Sequence, residues 1–265
     1  MTPPFETVRS ADGTTIAMER SGAGQPVVLV GGAFSNRAGA VGLAQVLAPH
    51  FTTVTYDRRG RGDSGDSGHY AVEREIEDLT AVIESVGGRA GVFGHSSGAI
   101  LALQAAGAGA PIRGVVAYEP PYIPDGFARP ATDLAGRLRA LIAQDRRDDA
   151  VALFQTEAIG LPAQVVAGLR VTEMWPGLVA LAHTLPYDVE ITGPGNVLHP
   201  DRLGAIPVPT LVIVGTASLP WMLPGTRATA VAIPGARHLE LPGEDHGTPH
   251  SHPAVLLQPL LDFFA

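Results

Sequence analysis

The chain has 265 residues, of which 45% are hydrophobic, 17% charged and 6% aromatic; that is enough apolar material for one sizeable core and too few charges for a disordered chain. Acidic residues outnumber basic ones 26 to 18, leaving a formal charge of −8, which argues against nucleic-acid and anionic-membrane partners. Cysteine is absent, so disulfides, thiolate nucleophiles and Cys-ligated zinc are excluded.

In chain order, residues 1–7 lack the basic-then-apolar pattern of a secretory leader, and no apolar run reaches the roughly 18 residues of a membrane span, so a cytoplasmic location is expected. Residues 8–10 and 15–19 flank an Ala11-Asp12-Gly13 turn and predict a β-hairpin. Residues 27–30 are a continuous apolar run of strand length, ended by Gly31-Gly32. A helix over 40–47 stops before Pro49, and 52–56 is a further strand, closed by the charged stretch from Asp57 to Asp63. Apolar residues at Val72, Ile76, Leu79, Val82, Ile83 and Val86 have helical spacing, and Gly87-Gly88 ends that helix. Strands at 90–93, 113–118, 210–214 and 238–241, a helix at 99–106 and a closing helix at 253–264 complete the alternation. Short apolar strands alternating with helices indicate an α/β fold, a mostly parallel sheet with helices on both faces. The stretch 122–206 breaks the alternation with four helical patterns, at 134–144, 149–159, 162–170 and 176–183, and no strand. It is expected to be a helical cap over the carboxyl end of a core formed by 1–121 and 207–265.

The strongest local signal is Gly94-His95-Ser96-Ser97-Gly98, which directly follows a strand and directly opens a helix. Glycines flanking a sharp strand-to-helix turn expose the central hydroxyl and aim the next backbone N–H at a developing oxyanion. The alternative, a Gly-rich turn around a partly buried Ser, leaves that context unused.

With these motifs the chain resembles the α/β-hydrolase fold family, in particular its small bacterial esterase-like members with a helical cap. The resemblance spans the Gly31-Gly32 turn, the 57–64 loop, the elbow at Ser96, the cap and a His near the carboxyl end. It implies that Ser96 is a nucleophile, which needs a base to take its proton. His246, in the loop after 238–241, matches that base, while His250 and His252 read as solvated loop residues and His95 as a sheet-packing one. The family's usual acid position, after the strand at 210–214, holds no Asp or Glu through Trp221. The family's alternative position, after the preceding strand, holds Glu119, which then orients the His. Asp245 adjoins His246 and is poorly placed to orient it. The resemblance further assigns the oxyanion amides to Ser97 and Ala33. Gly31 replaces the family's usual His there, removing a brace, and Phe34 is a second candidate for the amide.

Aromatic and apolar residues at loop ends suggest a substrate pocket formed by Phe34, Tyr122, Trp175, His183, Trp221 and Met222. No cofactor and no metal are expected, since Gly31-Gly32-Ala33 lacks a P-loop's Lys and spacing and no His pair sits at i, i+4 with a carboxylate ligand on one helix. The 57–63 loop reads as a charged brace beside the elbow. The expected activity is hydrolysis of a carboxylic ester, lactone or thioester of a mainly apolar small molecule through an acyl-enzyme, by a monomer or homodimer. Two rivals remain: cyclisation, acyl transfer or C–C cleavage on the same triad, and a catalytically silent ligand-binding protein on this fold.

Overall fold

The computed structural model describes residues 5–265; residues 1–4, on which part of the leader reading rests, lie outside it. The hairpin forms as β1 (Glu6–Arg9) and β2 (Thr15–Ser21), paired antiparallel. Then follow β3 (Gln25–Val30), α1 (Val41–Leu47), β4 (Phe51–Tyr56), α2 (Val72–Ser85), β5 (Ala90–His95), α3 (Ser97–Gly107) and β6 (Ile112–Tyr118). Six helices come next: α4 (Leu134–Ala143), α5 (Arg147–Glu157), α6 (Ala163–Leu169), α7 (Trp175–Ala180), α8 (Leu185–Thr192) and α9 (Pro200–Gly204). The chain closes with β7 (Thr210–Gly215), α10 (Met222–Ala232), β8 (Arg237–Leu241), α11 (Thr248–Ser251) and α12 (Leu257–Phe264).

The eight strands form one sheet in the order β1-β2-β4-β3-β5-β6-β7-β8. Only the β1–β2 and β2–β4 pairs are antiparallel. The central strands are buried on both faces, and their side chains divide between two apolar layers by the two-residue strand period. Val28, Val30, Val92, Val115 and Ala117 pack toward α2 and α3, whereas Val27, Leu29, Phe93, Val116 and Tyr118 pack toward α1 and α12. The inserted helices have an apolar core of their own around Leu134, Leu138, Val151, Trp175 and Leu185. Among the described residues no helix is long and apolar enough to cross a membrane.

Strand order reverses between β3 and β5, because the β3–β4 crossover runs to one side and the chain returns to the other. Loops leaving the two strands diverge there, opening a crevice at the carboxyl ends of the strands. The turn after β3 and the elbow after β5 both face that crevice.

Four helices go beyond those read from the sequence. In α8, Leu185, Pro186, Asp188, Val189 and Ile191 are all buried, so no polar face marks the helix. In α10, Pro224 and Gly225 look like breakers. Pro224 sits in the first turn, where its missing N–H is not needed, and a Cβ on Gly225 would lie 2.3 Å from the Tyr122 carbonyl oxygen. The short α9 and α11 are likewise additional.

Candidate active site

Ser96 stands between β5 and α3 with φ 57° and ψ −125°, a conformation that costs an L-residue about 1–3 kcal/mol and persists only where its surroundings impose it. The flanking glycines are required by close approach. A Cβ on Gly94 would meet the Gly98 carbonyl oxygen at 2.5 Å, and one on Gly98 would meet the Val30 oxygen at 2.5 Å. The elbow therefore seats its helix directly against the end of β3. A Cβ on Gly32 would come within 2.9 Å of Ser96 Cβ, so the turn after β3 lies against the elbow. The Ala33 and Ser97 amides, one from each, make no hydrogen bond within the protein among the described residues, and both residues line the cavity that contains Ser96.

Glu119 follows β6, also at positive φ, 49°, and is fully buried. Its Oε2 accepts from His246 Nδ1 at 2.6 Å. A carboxylate only accepts, so Nδ1 carries the proton and Nε2 of the neutral ring is bare. Glu119 Oε1 accepts from the Gly215 amide at 2.8 Å and from the Ser218 hydroxyl. The carboxylate-free segment after β7 thus supplies donors to Glu119 rather than an acid of its own. The His246 loop is held from below by two strand-end side chains. Tyr118 Oη donates to the Asp245 carbonyl at 2.6 Å, and His95 Nε2 donates to the His246 carbonyl at 2.9 Å. Burial, then the neighbouring His246 and His250, push the His95 pKa well below its ordinary value, so it is a neutral donor.

Above these groups lies a cavity of about 350 Å³. Its walls are mostly apolar: Phe34 and Phe154 in edge-to-face contact at 5.4 Å, then Ile159, Leu161, Val189, Leu219, Trp221 and Met222. Of the six residues expected to line it, Phe34, Trp221 and Met222 do. The other three are placed elsewhere. Tyr122 packs in the main core on the α3 face. Trp175 lies in the inserted helices' own core, its indole N–H donating to Asp148. His183 Nε2 donates to the Gly60 carbonyl at 2.7 Å, tying the inserted helices to the 57–63 loop. An aromatic at a helix start serves packing as readily as a ligand, and only the tertiary arrangement distinguishes the two. Residues of α5 and α8 that form the cavity roof, Phe154 and Val189, carried no motif in the sequence.

The 57–63 loop is a brace, but its arginines are internal. Arg58, Arg59 and Arg61 are at most 2% exposed. Arg59 pairs with Asp78, and Arg58 forks onto Glu75 through two bonds of 2.7 Å. Asp188 of α8, 1% exposed and lining the cavity, accepts from Arg58, Arg61 and the Ser97 hydroxyl. Burial alone would raise the Asp188 pKa; the Arg61 and Arg58 charges and the Ser97 bond outweigh it and hold the carboxyl ionised below the usual carboxylate range. Sequence reading missed Asp188, which lies outside the helices read there and shares α8 with a second acid, Glu190. Among the described residues no cluster of three or more metal-ligating side chains occurs.

Among solved structures, an α/β hydrolase from Sphaerobacter thermophilus is 50% identical, with a TM-score of 0.90, covering 98% of this chain and 100% of that one. A thermophilic esterase from Thermogutta terrifontis shares the fold at 22% identity and a TM-score of 0.71, over 98% of this chain and 97% of that one. So does an enol-lactonase from Burkholderia xenovorans, at 21% identity and a TM-score of 0.67, over 98% of this chain and 99% of that one. No curated protein sequence matches the chain. Residues 27–258 match the model of the alpha/beta hydrolase family, and with the elbow, the sheet order and the inserted helices in place, the chain belongs to that family.

Proposed function

We propose that the protein is a serine hydrolase that cleaves a carboxylic ester, lactone or thioester of a small, mainly apolar molecule through an acyl-enzyme. The observation that carries this reading is the 2.6 Å bond from His246 Nδ1 to the buried Glu119 carboxylate, at the floor of the same cavity that Ser96 lines. That bond fixes the tautomer whose Nε2 can take the Ser96 proton. Ser96 Oγ attacks the carbonyl carbon, and the oxygen's developing charge is received by the Ala33 and Ser97 amides. His246 returns its proton to the leaving group as the tetrahedral adduct collapses, and then activates the water that releases the acid. Glu119 orients the ring and stabilises the imidazolium. A cavity of about 350 Å³ sits at the small end of ligand pockets, and its apolar walls favour uncharged acyl or alcohol parts. The esterase and the enol-lactonase that share this fold agree with this reaction class. The helices 122–206 act as a cap that supplies the cavity roof.

The test is labelling by a fluorophosphonate probe together with turnover of p-nitrophenyl butyrate. Both should occur in the unaltered protein and vanish in Ser96→Ala. A protein that neither labels nor turns over any ester of this size is not an acyl-enzyme hydrolase. Product analysis separates hydrolysis from cyclisation or acyl transfer.

A further inference from the structure

Gly31 and Gly32 have no side chains with which to brace the turn that presents the Ala33 amide. What holds the turn comes from behind. Arg61 Nη1 donates to the Gly32 carbonyl at 2.6 Å and to the Ser35 carbonyl at 3.1 Å. The Gly32 carbonyl belongs to the same peptide group as the Ala33 N–H. That group is planar, with the two bonds pointing in opposite directions, so a donor fixed on the carbonyl fixes the direction of the N–H. Because the donor is a cation, the bond also polarises the peptide and strengthens its N–H as a donor.

The guanidinium is itself fixed. Arg61 Nη2 donates to both oxygens of Asp188, at 2.8 and 3.0 Å. Arg58 Nη1 donates to the same carboxylate at 2.8 Å and to the Gly31 carbonyl at 3.3 Å. The Ser97 hydroxyl donates to Asp188 Oδ1 at 2.7 Å, and Ser97 is the residue that carries the second free amide. One buried carboxylate of the inserted helices therefore holds both amide-bearing residues, Ala33 through Arg61 and Ser97 directly.

The geometry points to Arg61 and Asp188 as positioning residues that aim and polarise the Ala33 and Ser97 amides, so that the oxyanion hole is assembled only when α8 is seated on the core. This rests on the serine-hydrolase reading above. A large buried ion cluster is an expensive way to stabilise a fold, since apolar replacements do as well or better; its placement behind the amides gives it a use in preorganisation.

The test compares Arg61→Met, Arg61→Lys and Asp188→Asn with the unaltered protein. Three quantities are read: kcat and KM on p-nitrophenyl butyrate, the affinity for an alkylboronic acid, whose adduct with Ser96 places a negative oxygen in the hole, and Tm. Losing an oxyanion donor outright costs about 10²–10³-fold in kcat, so losing its alignment in Arg61→Met should cost about 10–10²-fold, with KM within about threefold. Boronate affinity should fall in parallel with kcat. Arg61→Lys keeps the charge and one donor and should recover part of the loss; Asp188→Asn should lower kcat about tenfold. If Arg61→Met does not fold, the Lys and Asn variants carry the same comparison. A merely structural role would lower Tm and leave kcat and boronate affinity unchanged in the folded fraction, and that result overturns the proposal. Absence of boronate binding and fluorophosphonate labelling in the unaltered protein would instead overturn the serine-hydrolase reading.

Discussion

Replacing Glu119 with Gln is the sharpest perturbation the structure allows, because size is kept and one proton's position changes. Glu119 Oε1 accepts from the Gly215 amide and the Ser218 hydroxyl, while Oε2 accepts from His246 Nδ1. A Gln has one oxygen. If that oxygen stays toward Gly215 and Ser218, its NH2 group faces His246, and Nδ1 must then become an acceptor. The proton moves to Nε2, which can no longer take one from Ser96. Turning the amide over restores the His246 contact but sets an NH2 against the Gly215 N–H. An unsatisfied buried donor costs about 1–3 kcal/mol, and Ser218 can rotate away. The productive arrangement is thus a minor one, disfavoured by roughly 5–150-fold on that range, and it has also lost the charge that stabilises the imidazolium. A total loss of about 10²–10⁴-fold in kcat follows, toward the roughly 10⁴ known for the analogous Asp-to-Asn change on another fold. The assay is steady-state turnover of p-nitrophenyl butyrate with the acylation burst resolved, and Tm as the control. A folded Gln variant keeping more than a tenth of the original kcat would show that Glu119 does not orient His246.

Ser96→Gly should abolish turnover yet raise stability over Ser96→Ala by about 1–3 kcal/mol, since Gly relieves the positive φ at the elbow; thermal melts ordering the two the other way would contradict the strain. Trp221→Ala should shift selectivity between short and bulky acyl groups about ten- to a few-hundred-fold, because Trp221 lines the cavity. Trp175→Ala should leave selectivity alone and destabilise by about 3–5 kcal/mol, because Trp175 lies in the inserted helices' core; competition between acyl esters, with melts, decides both. The lowered His95 pKa has a signed consequence. The unfolded chain takes up a proton near pH ~6.5 that the folded one refuses, so the unfolded state binds more protons and stability falls as pH drops below about 6.5. His95→Gln should flatten the fall in Tm from pH 7 to 5, leaving the smaller contribution of His238, whose pKa burial also lowers; equal slopes in both proteins would rule this out.

What local chemistry dictates was legible in the sequence alone. The strand period, the Ala11-Asp12-Gly13 turn and the helical spacing of 72–86 each depend on near neighbours, and all three elements form where expected. The elbow was legible for the same reason. A tight turn at Ser96 needs glycines two residues either side; the approach of Gly94 to the Gly98 carbonyl is local, whereas that of Gly98 to the Val30 carbonyl is set by the packing of α3 against β3. The pairing of Glu119 with His246 was foreseen only through a resemblance and an empty acid position, and the contact itself joins residues 127 apart. Tertiary structure alone decided the rest. Helices α8 and α10 are buried or start with a Pro, so no periodic polar face marks them. Trp175 and Trp221 are the same residue type at similar loop-end positions, yet packing sends one into a core and the other to the cavity. Arg58, Arg59 and Arg61 after β4 read as part of a charged brace, but their burial follows only once Glu75, Asp78 and Asp188, distant in sequence, are folded against them. Burial of a charge depends on whether a partner arrives to offset its desolvation, and which partners arrive depends on how distant segments pack.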